Sequence, residues 1–288
     1  MSQQVYRQYT RDELELNFDP QKSVPDSTSW SDKRNTASAK NRQELKSFLD
    51  VPYGASPRQK LDIYPAARPG APVLVYFHGG YWRSGGKEQN AHFAPLFVKA
   101  GATVVVAGYD LCPNVTVTDI VRQARSAIAW VDKNISRYGG DPANLYIAGI
   151  SAGGHLVAMT LAHDWEKDGL PRNIIKGAAA ITGVYDLDAV LHIGVNEEIR
   201  LTPESARENS PLRHPPGAGA PLIVAVGGAE PEGWRGQSRE FFRLCRESGV
   251  DCEFIEIPGA HHYSMGLELM NPASPLTRAM LKQIGIAA

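Results

Sequence analysis

Cysteine is scarce in this chain. Its three thiols, Cys112, Cys245 and Cys252, form an odd set without metal-ligand spacing, which argues against a disulfide-built scaffold and for reduced, structural thiols. Charge of one sign is not in excess either. Thirty Lys plus Arg stand against 31 Asp plus Glu, and no stretch concentrates one sign, so neither nucleic acid nor a membrane surface is expected as a partner. No apolar run approaches the roughly 18 residues that a membrane span needs. The opening MSQQVYRQYTRDELEL lacks the basic start and apolar core of a secretory signal, so a cytoplasmic protein is expected. Four ligands at metal spacing are absent, and no G-x-G-x-x-G follows the first long strand. Neither a metal nor any other cofactor is expected.

What is there suits one large domain with a sizeable core: 288 residues, 43% hydrophobic and 21% charged. Residues 1–45 are polar, with short helices expected at TRDELELNF and SAKNRQELKSF, and read as an arm packed on a domain spanning 46–288. Within that domain, PVLVYFHGG, ATVVVAGYD, NLYIAGIS, GAAAITGV, PLIVAVGG and CEFIEIPG predict buried strands, because near-continuous apolar runs suit a mostly parallel sheet covered on both faces. Helical patterns lie between them. Ile120, Ala124, Ala127, Ile128, Val131 and Ile135 mark one helix face, and similar patterns occupy 87–100 and 235–248. This alternation predicts an α/β fold. The stretch 185–217, rich in Pro, His and charge, interrupts the rhythm and is a candidate cap.

GISAGG at 149–154 follows one predicted strand and opens a helical run. In that context G-x-S-x-G predicts a sharp strand-to-helix turn that exposes the Ser151 hydroxyl before a helix N-terminus. HGGYW at 78–82 follows an earlier strand. The N–H groups of Gly79 and Gly80, with that of Ala152, are candidates for an oxyanion hole, and Tyr81 and Trp82 for the pocket beside it. A serine nucleophile needs a base and an acid that orients the base, and in the α/β-hydrolase order these follow the serine as acid, then histidine. Glu230 follows the strand 221–228, with Glu232 as competitor, while Asp251 lies at the wrong end of its strand. The adjacent His261 and His262 both follow the last strand. His78 reads as a brace for its own loop.

HGGYW, GISAGGHL, YDLCPNVTVTDIVRQ, ITGVYDL, NSPL and GGAEPEGWRGQSREFF together resemble the arylformamidase (kynurenine formamidase) branch of α/β-hydrolases, close to esterases of the hormone-sensitive-lipase type. The resemblance runs from about residue 10 to the end. It implies an α/β-hydrolase fold and selects Glu230, seven residues before Gln237, as the acid, and His262 as the base. Glu230 stands where that family often has Asp. The activity implied is hydrolysis of a small N-formyl or N-acyl aryl amide through an acyl-enzyme; a short-chain carboxylesterase is the alternative, and a non-catalytic binding module the remote one. The expected partner is a small-molecule ester or amide, and a homodimer is left open.

Overall fold

The computed structural model describes residues 3–287 and opens with the arm. A hairpin of β1 (Gln4–Tyr6) and β2 (Tyr9–Thr10) leads into helices α1 (Arg11–Phe18), α2 (Pro20–Ser23) and α3 (Ser27–Glu44). A capping box between Thr10 and Glu13 starts α1, which matches the helix expected there. The third helix is the larger surprise, since it begins at Ser27 and stops at Glu44, well before the start of SAKNRQELKSF and short of its end. Ser38 is its one buried residue among those described, so no apolar stripe marks it. Contacts with the domain hold it instead. Asn41 Nδ2 donates to the Ala91 and His92 carbonyls at 2.9 and 3.1 Å, and Arg42 pairs with Asp62.

The main sheet contains β3 (Phe48–Pro52), β4 (Lys60–Tyr64), β5 (Ala71–Phe77), β6 (Thr103–Ala107), β7 (Gly140–Ile150), β8 (Ile175–Ile181), β9 (Leu222–Gly227) and β10 (Cys252–Ile257). Their order is β10-β9-β8-β7-β5-β6-β4-β3. Pairing is parallel from β10 to β6 and antiparallel at β6–β4–β3. The six strands expected from apolar runs are all present, and the sheet is mostly parallel as expected. The two antiparallel strands had no such signal. β3 is largely exposed, and β4 carries Asp62 at its centre with no exposed surface. That carboxylate is tolerated because Lys87 Nζ lies 2.9 Å away and Arg42 pairs with it.

Helices α4 (Ala94–Ala100), α5 (Val117–Asn134), α6 (Ala152–Leu161), α7 (Asn196–Ile199), α8 (Pro203–Glu208), α9 (Glu232–Glu247), α10 (His262–Glu268) and α11 (Pro275–Ile284) complete the chain. Alternation along β5 divides the core. Val73, Val75 and Phe77 join α5, α6 and α9 on one face, whereas Leu74 and Tyr76 join α4 and α11 on the other. Burial of the α5 stripe, which includes Ile120, Ala124 and Val131, fastens that crossover by the periodicity seen in sequence. Among the described residues no helix is long and apolar enough to cross a membrane.

The chain order places the site. After β5 the chain moves outward to β6, then returns across the sheet to enter β7 beside β5. The loops after β5 and β7 therefore leave neighbouring strand ends in opposite directions, which opens a crevice at the carboxyl edge of the sheet.

Candidate active site

Ser151 occupies the turn between β7 and α6 at φ 56° and ψ −119°, a region that costs a non-glycine residue about 1–3 kcal/mol. Its N–H is fixed to the Ile181 carbonyl at 2.9 Å. The flanking glycines make a different contribution from the strained residue between them, because neither has a positive φ. They permit close approach. A Cβ on Gly149 would strike the Gly153 carbonyl, and one on Gly153 would strike that of Phe77. The motif thus presses the start of α6 against the end of β5, and the strain falls on the serine.

The preceding loop is equally constrained. Gly80 has φ +120°, and a Cβ there would meet the Ser84 carbonyl. Tyr81 and Trp82 also have positive φ, 48° and 54°. His78 stacks on Tyr109 with ring centroids 4.1 Å apart, and its Nδ1 lies 2.7 Å from the Gly79 carbonyl, a geometry that requires a proton on Nδ1. Burial pushes its pKa down to about 4. Since a peptide's C=O and N–H point in opposite directions, drawing the Gly79 carbonyl toward His78 turns the Gly80 N–H the other way. The N–H groups of Gly79, Gly80 and Ala152 donate to no protein acceptor among the described residues. Ala152 opens α6, so its N–H has no partner within the helix.

Glu230 lies in the loop between β9 and α9, buried. Its Oε2 is 2.8 Å from His262 Nδ1, its Oε1 accepts the Gly227 N–H at 2.9 Å, and the Thr182 hydroxyl stands 2.6 Å from both oxygens. Glu232 is elsewhere: it starts α9 on the surface and pairs with Arg239. His262 begins α10 and packs on Trp234, centroids 4.4 Å apart. His261 is the N-cap of the same helix. Its Nδ1 accepts the Ser264 N–H at 3.3 Å and its ring meets Trp30 edge-on at 4.7 Å. Burial holds His261 below the ordinary histidine range.

Ser151, His262, Gly79 and Gly80 border one cavity of about 330 Å³, a volume suited to a small ligand. Tyr81 also lines it, its hydroxyl held by the Phe18 carbonyl at 2.5 Å. Trp82, expected beside Tyr81 in the pocket, is absent from the wall. It is fully buried in the core, where its Nε1 donates to His155 Nδ1 at 3.2 Å; the positive φ at both positions turns the two rings to opposite uses. The cover is also not where the sequence placed it. Of the segment 185–217 only Val195 reaches the cavity, and Asp19, Gln21, Ser31, Arg34 and Asn35 of the arm make the outer wall. Segment 185–217 instead buries Leu187, Val190, Ile193 and Ile199.

Three contributions escaped the sequence. Thr182 sits at φ 41°, and nothing in ITGVYDL signals that its hydroxyl reaches a carboxylate 48 residues later. Trp234 joins the arm to His262, since Phe18 packs on its other side at 5.9 Å. Arg34 belongs to a helix without an apolar pattern. No cluster of His, Cys, Asp and Glu fit to hold a metal ion occurs among the described residues.

Comparison with known proteins agrees with this architecture. A family described as having the alpha/beta hydrolase fold matches residues 74–265. Kynurenine formamidase of Danio rerio is 33% identical over 97% of this chain and 98% of its own length. Esterase LipQ of Mycobacterium tuberculosis is 32% identical over 74% of this chain and 56% of its own. The solved structure of an esterase from Pyrobaculum calidifontis superposes with a TM-score of 0.72 at 21% identity, covering 96% of this chain and 98% of that one, which is a likeness of fold.

Proposed function

The chain belongs to the α/β-hydrolase-fold family that includes kynurenine formamidases and esterases, and from that premise we propose that it is a serine hydrolase of small N-formyl or N-acyl aryl amides or short-chain esters, with Ser151, His262 and Glu230 as its triad. The observation that carries this reading is the buried His262–Glu230 pair at 2.8 Å, whose histidine borders the same cavity as the strained Ser151. Because Nδ1 of His262 is committed to Glu230, Nε2 is the nitrogen left to take the Ser151 proton.

Ser151 Oγ attacks the carbonyl carbon as His262 accepts its proton. The oxyanion that forms is met by the uncommitted N–H groups of Gly79, Gly80 and Ala152, donors fixed before the reaction and so free of reorganisation cost. Glu230 orients the imidazole and offsets its positive charge. His262 then returns the proton to the departing amine or alcohol. Water, activated by the same histidine, releases the acid from the acyl-enzyme.

The formamidase reading rests on the near full-length relative, and Tyr81, immobilised at the cavity wall, supports small acyl groups. The carboxylesterase reading draws on the esterase relative. A fluorophosphonate probe followed by peptide mapping tests the chemistry, with the label expected on Ser151 and lost in Ser151→Ala. Comparing kcat/KM for N-formyl aryl amides with acetyl and butyryl aryl esters separates the two substrates. A protein that takes no label and cleaves none of them is a binding module, and the hydrolase reading falls.

A further inference from the structure

The charged side chains lining the cavity are unequally provided for. Arg83 Nη1 pairs with Glu198 Oε1 at 2.6 Å. Asp19 accepts the Gln21 N–H at 2.9 Å. Arg34 projects from α3 into the same wall, half-buried, and no ion pair or hydrogen bond occupies its guanidinium among the described residues; its Nε is buried without a partner. The titratable groups that face it are Tyr76, Tyr263 and two buried histidines, His78 and His92, none of them a carboxylate, and burial pulls its pKa below the ordinary value.

Other partly buried arginines of this protein are employed. Arg42 pairs with Asp62, Arg125 donates to the Met159 carbonyl, and Arg235 pairs with Glu256 at 3.3 Å. Withdrawing a charge from water without a partner is unfavourable, so Arg34 stands out as a half-buried cation without a counterpart among the described residues. Arg83 Nε is also buried without a partner, although its guanidinium is paired through Nη1, and two side-chain oxygens of the same cavity share that condition. The side-chain oxygens of Asn35 and Asn90 are buried and accept nothing from the protein, while Asn90 Nδ2 is committed to the Gly86 carbonyl at 2.8 Å.

We propose that Arg34 is a specificity-determining residue that receives a carboxylate carried by the substrate whose acyl group Ser151 attacks. The proposal rests on the hydrolase reading and sharpens it to acidic substrates. A guanidinium presents paired N–H donors in a plane that matches the two oxygens of a carboxylate. A neutral ester of the same size leaves the guanidinium uncompensated. A substrate that also carries an N–H donor would meet the free oxygen of Asn35 or Asn90, and an aryl amide has one.

Two measurements on the full chain decide the matter. The first is calorimetric titration of Ser151→Ala with 4-phenylbutyrate and with its neutral isostere 4-phenylbutyramide. The acid is expected to bind at least about tenfold more tightly, as a charge-assisted pair allows. Adding Arg34→Met should erase that preference, and Arg34→Lys should restore part of it. The second compares kcat/KM for 4-acetoxyphenylacetate and for its neutral methylamide. Arg34→Met is expected to lower the value for the acid about 30-fold, mostly through KM, and that for the amide by less than about threefold. Circular dichroism verifies folding, and Arg34→Lys supplies the comparison if the Met variant does not fold. Equal binding of the two titrants, or equal losses on the two esters, overturns the assignment. If wild type hydrolyses neither ester, the serine-hydrolase reading fails, and calorimetry still judges Arg34 by itself.

Discussion

Below the cavity floor formed by Ser151 and His262, the buried Glu230 is met by His262, Thr182 and Gly227, and His262 also packs on the Trp234 ring. On the arm-built wall, Arg34 Nε and Asn35 Oδ1 have no protein partner. The floor comes from loops at strand ends, with Ser151 and Thr182 held at positive φ, whereas the wall comes from the arm, chiefly a polar helix packed against the 87–89 turn and α10. On the function proposed above, the difference separates two tasks. Groups that move a proton must already be in place when substrate arrives, so the fold satisfies and strains them. Groups that recognise a substrate must be unsatisfied until it arrives, because a donor already paired has nothing further to offer.

The comparison breaks most visibly at the floor. Ser151→Ala and His262→Ala are each expected to lower kcat by about four orders of magnitude or more on an activated aryl ester, since a triad loses function as a unit. Retention of a tenth of wild-type turnover by a folded Ser151→Ala protein would disprove the mechanism. Glu230→Ala should follow with a loss of about a thousandfold, as expected for an orienting acid, while Glu232→Ala stays within about twofold because its exposed ion pair contributes little. A reversed order in the same steady-state assay would reassign the acid.

Smaller effects sharpen the contrast. Thr182→Val keeps the β-branch and removes one hydroxyl from the carboxylate, so a loss of about tenfold in kcat is expected, equivalent to about 1.4 kcal/mol; Thr182→Ser should recover most of it. His261→Ala removes a helix cap, typically worth about 1 kcal/mol of stability, and should lower kcat/KM by no more than about tenfold. If His261→Ala is dead and His262→Ala active, the two adjacent rings have been assigned the wrong way round.

A last effect concerns stability alone. Burial holds His78, His92 and His155 at about 4, about 3 and about 4, below the value of about 6.5 of an unfolded histidine. Below pH 6.5 the unfolded chain therefore binds more protons than the folded one. The stability conferred by these neutral rings is complete above that pH and declines as pH falls from 6.5 toward 4. Scanning calorimetry should find Tm lower at pH 5 than at pH 7 by roughly 5 °C or more. A Tm that is flat over that interval would contradict the burial of these rings.

How much of this was legible in the sequence follows from how local each requirement is. The elbow at 149–153 was readable because its constraint is a backbone approach that glycine alone permits, and the central strands because burial on both faces leaves an unbroken apolar run. The strand KLDIY was not, since the buried Asp62 breaks the run, and its partners Arg42 and Lys87 lie 20 or more residues away. Glu230 and Glu232 are two residues apart, and in sequence the choice between them rested on the resemblance. The physical cause, that α9 starts at Glu232 and turns it outward, is expressed only in the folded chain. The exchange of roles between 185–217 and the arm has the same origin, for composition marks both as irregular and polar without saying which lies over the crevice.

The wall and the floor also belong to opposite ends of the chain. At roughly 5–20 residues per second, Asp19 leaves the ribosome about ten seconds or more before His262 does. Helix α3 finds its first anchors at Asp62, Ala91 and His92 within the next fifty or so residues, although the arm's contacts with Trp234 and His261 come late. His262 itself comes only with α10, after the last strand of the sheet. A growing chain can thus display the turn at Ser151 and the loop at Gly79 and Gly80 while still lacking His262, and on the proposed mechanism the capacity to cleave arrives with the closing steps of synthesis.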